Sequence, residues 1–439
     1  MTMESDTGSR TGGRRPSRRT VLKAGSAAGL IGLAGCTTLT GSGGDGGGGG
    51  GDTVKIGLTR STTGDFVFDS RKGFRGLKLW QQRTNDDGGL EVDGEQKEVE
   101  LVSYDDRSSK QRVTRLYETL ITEDDVDVLF APFSSTLTSA AAAVANTHDK
   151  YIMAWGAASQ SIYEQGYNNL MSVETPTSIQ PRGFLSKMES VGAETVALLH
   201  LDAAFTTSLA DAVEEQIGDF DLELIHFESH GSGASDFTST LQQIKDKDPD
   251  VFWPINYVGS NVTIIRQMKS NGISFPWVQM VYATNPQFYD SLGTDAKFWT
   301  GQHNIHPELE READVGLSVS EFFTQYGETF GGNEPSFNSA NGYSAAVILG
   351  ESIRQAGTAR DTEALIEASL ELSGDTTVVN GLFSVHPERH HQDHSNYFAA
   401  QNQATGGDSV YENMESVGPE GIAPATAEPV YPAPPWSER

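Results

Sequence analysis

The chain has 439 residues, 37% of them hydrophobic, one cysteine, and 60 Asp and Glu against 31 Lys and Arg, for a formal net charge of −29 at pH 7. That apolar content supports a core and that length suits two lobes of ordinary size, while a lone thiol excludes an intrachain disulfide. The charge disfavours nucleic acid as a partner, because affinity for a phosphate backbone comes from neutralising it with basic side chains.

The carboxylates are spread along the chain, as at Asp86, Asp87, Glu123, Asp124, Asp125, Asp246, Asp248, Glu308, Glu310 and Glu312. Of two readings, an acidic binding tail or a whole surface kept hydrated in strong salt, this dispersal favours the second and a halophilic, haloarchaeal source. At the N-terminus, Arg14, Arg15, Arg18, Arg19 and Lys23 precede about a dozen small or apolar residues, well short of the ~20 that cross a bilayer, so the segment reads as a secretory signal. The heptapeptide SRRTVLK, with Arg18 and Arg19, resembles a twin-arginine export signal, and LAGC, ending at Cys36, resembles a lipobox. These resemblances imply a signal over 1–36, lipidation of Cys36 and an anchor on the outer face of the cytoplasmic membrane. Residues 37–52, rich in glycine, read as a flexible tether.

From Val54 onward, short apolar runs alternate with segments of helical period. Strands are predicted over 54–58, 99–104, 126–130 and 151–155, and helices over 69–84, 109–121 and 139–148; in the first helix Phe74, Leu77 and Trp80 recur at three-residue spacing. The alternation restarts with strands over 195–201, 222–227, 251–255 and 277–281 and helices over 207–216, 236–245 and 260–270. Strands separated by helices of this length predict βαβ units and a parallel, doubly wound α/β sheet, and two such series predict two lobes. Helices over 315–330, 339–356 and 362–372 follow, then strands over 381–385 and 397–400. From about residue 406 the composition of Pro, Gly and Glu predicts a loosely attached tail.

Four stretches, IGLTRSTTGDF (56–66), VELVSYDDRSSKQRVTRLYETLI (99–121), VLFAPFSSTLTSAAAAVA (128–145) and YIMAWGAAS (151–159), together resemble the type I periplasmic binding proteins. The branch is that of leucine/isoleucine/valine and amide receptors of ABC transporters. The resemblance continues through DAAFTTSLADAVEEQI and VNGLFSVHPERHHQDHSNYF and covers most of 53–402. It implies two doubly wound lobes joined by three hinge crossings: 53–173 with 305–374, and 174–304 with 375–402, leaving 403–439 as the tail. It also implies a non-enzymatic receptor without a cofactor, which captures a small solute between the lobes and passes it to a permease and ATPase. By family the solute is a branched-chain or other hydrophobic amino acid; amides, urea and aromatic or short carboxylic acids are the rival class. A ligand-sensing ectodomain for a signalling partner is the alternative of another kind.

Ser134 and Ser135 follow a strand and precede a helix, where hydroxyls and unpaired N–H groups converge on an anion. The same position suits a plain N-cap, and the resemblance, in which this pair meets a ligand carboxyl group, assigns Ser135 both tasks. The loop of Gly156, Ala157, Ala158 and Ser159 lets backbone approach a ligand closely, with Ser159 where the family has Thr. Phe68 and Phe205 stand where the family often has Tyr, and Trp155, Tyr282 and Thr284 lie at the same rim; core packing is the competing reading for each aromatic. One departure matters. Amino-acid receptors of this branch hold the ligand ammonium on an acidic residue after the strand equivalent to 277–281, whereas this chain reads Tyr282-Ala283-Thr284-Asn285, and an unpaired buried ammonium is costly. His386, His390, His391 and His394 lack a spacing that converges three ligands, so no metal is expected, and there is no G-x-S-x-G elbow, G-x-G-x-x-G or P-loop.

Overall fold

A computed structural model describes residues 53–404, 407, 409–418 and 423–439. Arg18, Arg19, Cys36 and the tether over 37–52 lie outside the described residues. The first α/β series runs β1 (Thr53–Arg60), α1 (Val67–Asp86), β2 (Leu90–Val92), β3 (Glu95–Asp105), α2 (Lys110–Thr122), β4 (Val128–Phe130), α3 (Ser135–Thr147), β5 (Ile152–Ala154), α4 (Gln160–Tyr163) and β6 (Leu170–Ser172). The second runs α5 (Pro181–Ser190), β7 (Thr195–Leu201), α6 (Ala204–Gln216), β8 (Glu223–His230), α7 (Thr238–Asp246), β9 (Val251–Ile255), α8 (Val258–Ser270), β10 (Trp277–Gln279), α9 (Pro286–Leu292) and β11 (Trp299–His303). Then come α10 (Val319–Thr329), α11 (Phe337–Ala356), α12 (Thr362–Glu371), β12 (Thr376–Val378), β13 (Gly381–Phe383), β14 (Phe398–Asn402) and β15 (Met414–Gly418).

The strands form two large sheets, ordered β2-β3-β1-β4-β5-β6 and β15-β14-β11-β10-β9-β7-β8. Apart from β2, which pairs antiparallel with β3 at one edge, and β14 and β15 at the edge of the other sheet, five strands in each sheet are parallel and share one order, second-first-third-fourth-fifth. That order reverses direction beside the first strand, and the crevice of such a sheet opens there, at the strands' carboxyl ends. The chain passes between the lobes after β6, after β11 and between β13 and β14. Each lobe has its own apolar interior: Ile56, Leu77, Val128 and Ile348 in the first, and Leu198, Leu209, Trp253 and Ile265 in the second.

In the first lobe, α1 and α11 cross with almost no side-chain spacer. A Cβ on Gly342 would come 2.2 Å from the Gly73 carbonyl oxygen, and one on Gly76 would come 2.2 Å from that of Ser339. Only glycine permits this approach of backbones, and it brings the first turns of both helices to the cleft.

Two boundaries expected from sequence are corrected. Val378, Val379, Phe383 and Val385 pack in the first lobe's core, so the part of 375–402 that precedes β14 belongs there. The tail is packed where it is described. β15 pairs antiparallel with β14, the Trp436 ring sits 5.6 Å from Trp299, and its Nε1 donates to the Ile273 carbonyl at 2.7 Å. The Arg439 guanidinium lies 4.4 Å from the Trp436 ring. Composition alone reads this segment as loose, but its aromatic residues carry enough apolar surface to hold it on the second lobe. Among the described residues, no helix is long and apolar enough to cross a membrane.

Candidate functional site

The loops after β4 and β5 face those after β7, β9 and β10, with Gln302 of β11, across the cleft. They enclose a cavity of about 20 Å³, room for about one water molecule. Aromatic rings fill most of the space. Phe66 reaches Phe133 at 5.9 Å and Tyr257 at 5.5 Å, and Tyr257 stacks on Tyr282 at 5.9 Å. Tyr282 stacks on Phe337 at 5.8 Å, and Phe337 meets Tyr397 edge-on at 5.9 Å. Phe66, Phe133 and Phe337 come from the first lobe and the tyrosines from the second, so this row of rings closes the interface between them.

The start of α3 forms the polar wall. Ser134 is its N-cap: the side chain accepts from the Leu137 N–H at 3.3 Å while the backbone holds a φ of +85°, unusual for a residue with a Cβ. Ser135 is the first helical residue, so the capping task expected of it falls to its neighbour. The Ser135 hydroxyl oxygen accepts instead from the Ser159 N–H at 3.0 Å, which ties the α3 start to the loop after β5. Both serines line the cavity, beside the helix's first N–H groups, which lack intrahelical acceptors.

Of the other residues expected at the site, Ala158, Phe205 and Tyr282 line the cavity, joined by Gly156. Ala157 is fully buried with its carbonyl accepting from the Tyr163 hydroxyl, and Thr284 spends its hydroxyl on the Gln302 carbonyl at 2.8 Å. Phe68 lies apart from the cavity lining, in the first turn of α1, with Arg71 and Lys72 over its ring at 5.5 and 5.7 Å; Phe66, two residues earlier, packs behind the lining against the rings of Phe133 and Tyr257. Ser159 faces an open groove of about 540 Å³ between α4 and α6, whose walls carry Glu164, Asp202, Asp211 and Glu215. The histidine-rich segment folds into a turn, with the His386 N–H donating to the His391 carbonyl and the His391 ring against Tyr163. Among the described residues, no group of three or more His, Cys, Asp or Glu is placed to hold a metal.

Two buried carboxyl groups were not legible as site residues. Glu174, just past β6, lines the cavity and accepts from the Tyr397 hydroxyl at 2.8 Å and from Asn341 Nδ2 at 2.9 Å. Burial pushes its pKa from 4.5 up to about 8, with those hydrogen bonds opposing. Asp69 in α1 accepts from Asn338 Nδ2 at 2.9 Å and from Asn285 Nδ2 at 3.2 Å, and burial pushes it up to about 7. Asn285 belongs to the second lobe, so Asp69 joins the lobes directly. Asn341 serves all three crossings: it donates to Glu174 at the first and to the Tyr397 hydroxyl at the third, and its Oδ1 accepts from Asn304 Nδ2, just beyond β11, at 2.7 Å. The sequence signal for Glu174 is a charge directly after a buried apolar strand.

Comparison with known proteins gives a consistent result. The family model described as periplasmic binding protein matches residues 53–408. The leucine-specific-binding protein of Salmonella typhimurium is 19% identical over 223 residues, 51% of this chain and 59% of that protein's length. The Leu/Ile/Val/Thr-binding protein of the same organism is 20% identical over 266 residues, 60% of this chain and 70% of that one. Among solved structures, the branched-chain amino acid transporter substrate binding protein LivJ of Streptococcus pneumoniae, in complex with isoleucine, aligns with a TM-score of 0.69 at 20% identity, covering 80% of this chain and 96% of its own. An R. palustris solute binding protein in complex with benzoate aligns at 0.71 and 16% identity, covering 87% and 99%. These relatives are named as binding proteins, not enzymes.

Proposed function

Since the chain belongs to the periplasmic binding protein family, we propose that it is the solute-binding component of an ABC importer, capturing a small molecule between its lobes and presenting the closed form to a permease and its ATPase. The observation that carries this reading is the narrow cavity between the lobes, with the start of α3 on one wall and stacked rings on the other. At about 20 Å³ the cavity is far smaller than any nutrient. Entry therefore requires the lobes to part and the rings to separate, and the solute shifts the balance between open and closed forms by its differential affinity for them.

The solute's carboxyl group docks on Ser134, Ser135 and the free N–H groups of α3, and its apolar body replaces ring-to-ring contacts among Tyr257, Tyr282 and Phe337. Hydrophobic amino acids and aromatic acids both fit this chemistry, and the relatives solved with isoleucine and with benzoate support keeping both. Export through Arg18 and Arg19 and a lipid on Cys36 complete the proposal, holding the receptor at the outer face of the membrane. Small-angle scattering of the purified protein, with and without leucine, phenylalanine or benzoate, tests the mechanism: one of them should shrink the radius of gyration. Dimensions that ignore every candidate, together with no heat in titration calorimetry, would remove the receptor reading.

A further inference from the structure

Within the receptor reading, the polar groups on the cavity wall separate by chemistry. Donors gather at the start of α3. Acceptors gather at the first crossing, in the segment ETPTSIQ (174–180). Glu174, 4% exposed, is the one carboxyl group among the residues that line the cavity. Gln180, 1% exposed, lines it as well. Its Nε2 donates to the Thr175 carbonyl at 2.7 Å, which sets the amide's orientation, and its Oε1 is left buried without a hydrogen-bond partner. A buried acceptor of this kind is costly unless something donates to it.

Glu174 is similarly incomplete. Its side-chain donors, the Tyr397 hydroxyl and the Asn341 amide, are neutral, and among the described residues it takes part in no ion pair with Lys, Arg or His. Each carboxylate oxygen can accept more than one hydrogen bond. A carboxyl group and an unsatisfied amide oxygen, joined through Thr175 and facing one cavity, ask for a group that carries positive charge and several N–H donors. A benzoate-like acid offers neither.

We propose that Glu174 and Gln180 form the subsite for a primary ammonium group of the solute, so that the receptor takes an amino acid and discriminates against the same carbon skeleton without its nitrogen. Among the described residues no cation faces Glu174, so an ammonium group docking there supplies the charge that lets the carboxyl group give up its proton and accept from it as a carboxylate. The acid that reads the nitrogen then comes from a hinge crossing, while the segment after β10 contributes the Tyr282 ring.

The inference rests on the receptor reading, and matched ligands separate the two. Titration calorimetry on the purified protein compares leucine with 4-methylpentanoate, and phenylalanine with 3-phenylpropanoate; benzoate is included. Expected is a preference of at least about 30-fold for the amino acid in one pair, reduced to about fivefold or less in Glu174→Gln, with the deaminated partner's affinity unchanged or improved. In Gln180→Met the amino acid should weaken about tenfold while its deaminated partner does not. Because the wild-type comparison needs no variant, a folding defect in either variant leaves the test intact. Binding of benzoate or of the deaminated acids as tightly as the amino acids would overturn the ammonium subsite and leave the receptor standing. Absence of binding by the whole panel would overturn both.

Discussion

Replacing Glu174 with Gln should make the protein less sensitive to pH, and the size of the change can be worked from the structure. The carboxyl group is buried beside neutral donors, and its pKa rises from 4.5 to about 8. The folded state therefore holds the proton more tightly than the unfolded state. The contribution of this group is fully present below about 4.5 and is lost as pH rises through about 8. At ~1.4 kcal/mol per pH unit, the loss across that window is on the order of 5 kcal/mol. Asp69, raised from 3.8 to about 7, adds a loss of the same sign, on the order of 4 kcal/mol. Gln in place of Glu174 keeps a side-chain oxygen for Asn341, and the Tyr397 hydroxyl can rotate to accept from the new amide. Urea unfolding of the wild type and Glu174→Gln at pH 5, 7 and 9, at one salt concentration, isolates the residue, since Asp69 cancels in the difference. The variant should gain several kcal/mol relative to wild type between pH 5 and 9. Parallel stability curves would show that the Glu174 carboxyl group is solvated or already paired, and would refute the reasoning.

Three further outcomes are expected. Ser135→Ala removes the acceptor of the buried Ser159 N–H and should cost about 1–3 kcal/mol in denaturant unfolding as well as weakening solute binding. Gly342→Ala places a methyl group 2.2 Å from the Gly73 carbonyl oxygen, and should lower stability by roughly 2 kcal/mol or more through separation of α1 from α11, read as a fall in the thermal midpoint. With 60 acidic against 31 basic residues, the melting temperature should rise steeply as potassium chloride goes from dilute to molar, because salt shortens the range of repulsion from ~10 Å at 0.1 M to ~3 Å at 1 M; a melting temperature indifferent to salt would contradict the screened-surface reading.

Much of the fold was legible in the order of residues. Runs such as Val196–Leu199 and Val251–Ile255 are apolar at every position because strands of a parallel sheet are covered on both faces, and the intervening helices repeat at their own period. That a serine caps α3 was legible, with Ser134 rather than Ser135 as the cap, because the junction of a strand and a helix has a fixed chemistry of unpaired N–H groups. Phe68, expected at the cleft, sits instead in the first turn of α1 under Arg71 and Lys72, because a loop entering a helix has no periodicity to set which ring turns inward. The tail was misread because composition counts prolines and glycines but not which aromatic finds a partner.

Local pattern thus determined the α/β series, their duplication into two lobes and the capped start of α3, since each follows from neighbours along the chain. The tertiary structure decided the rest. Glu174 meets Tyr397 across 223 residues and Asn341 across 167, and Asp69 meets Asn285 across 216. How costly a carboxyl group is to ionise depends on what surrounds it in space, and these surroundings assemble only when the three crossings come together at Asn341.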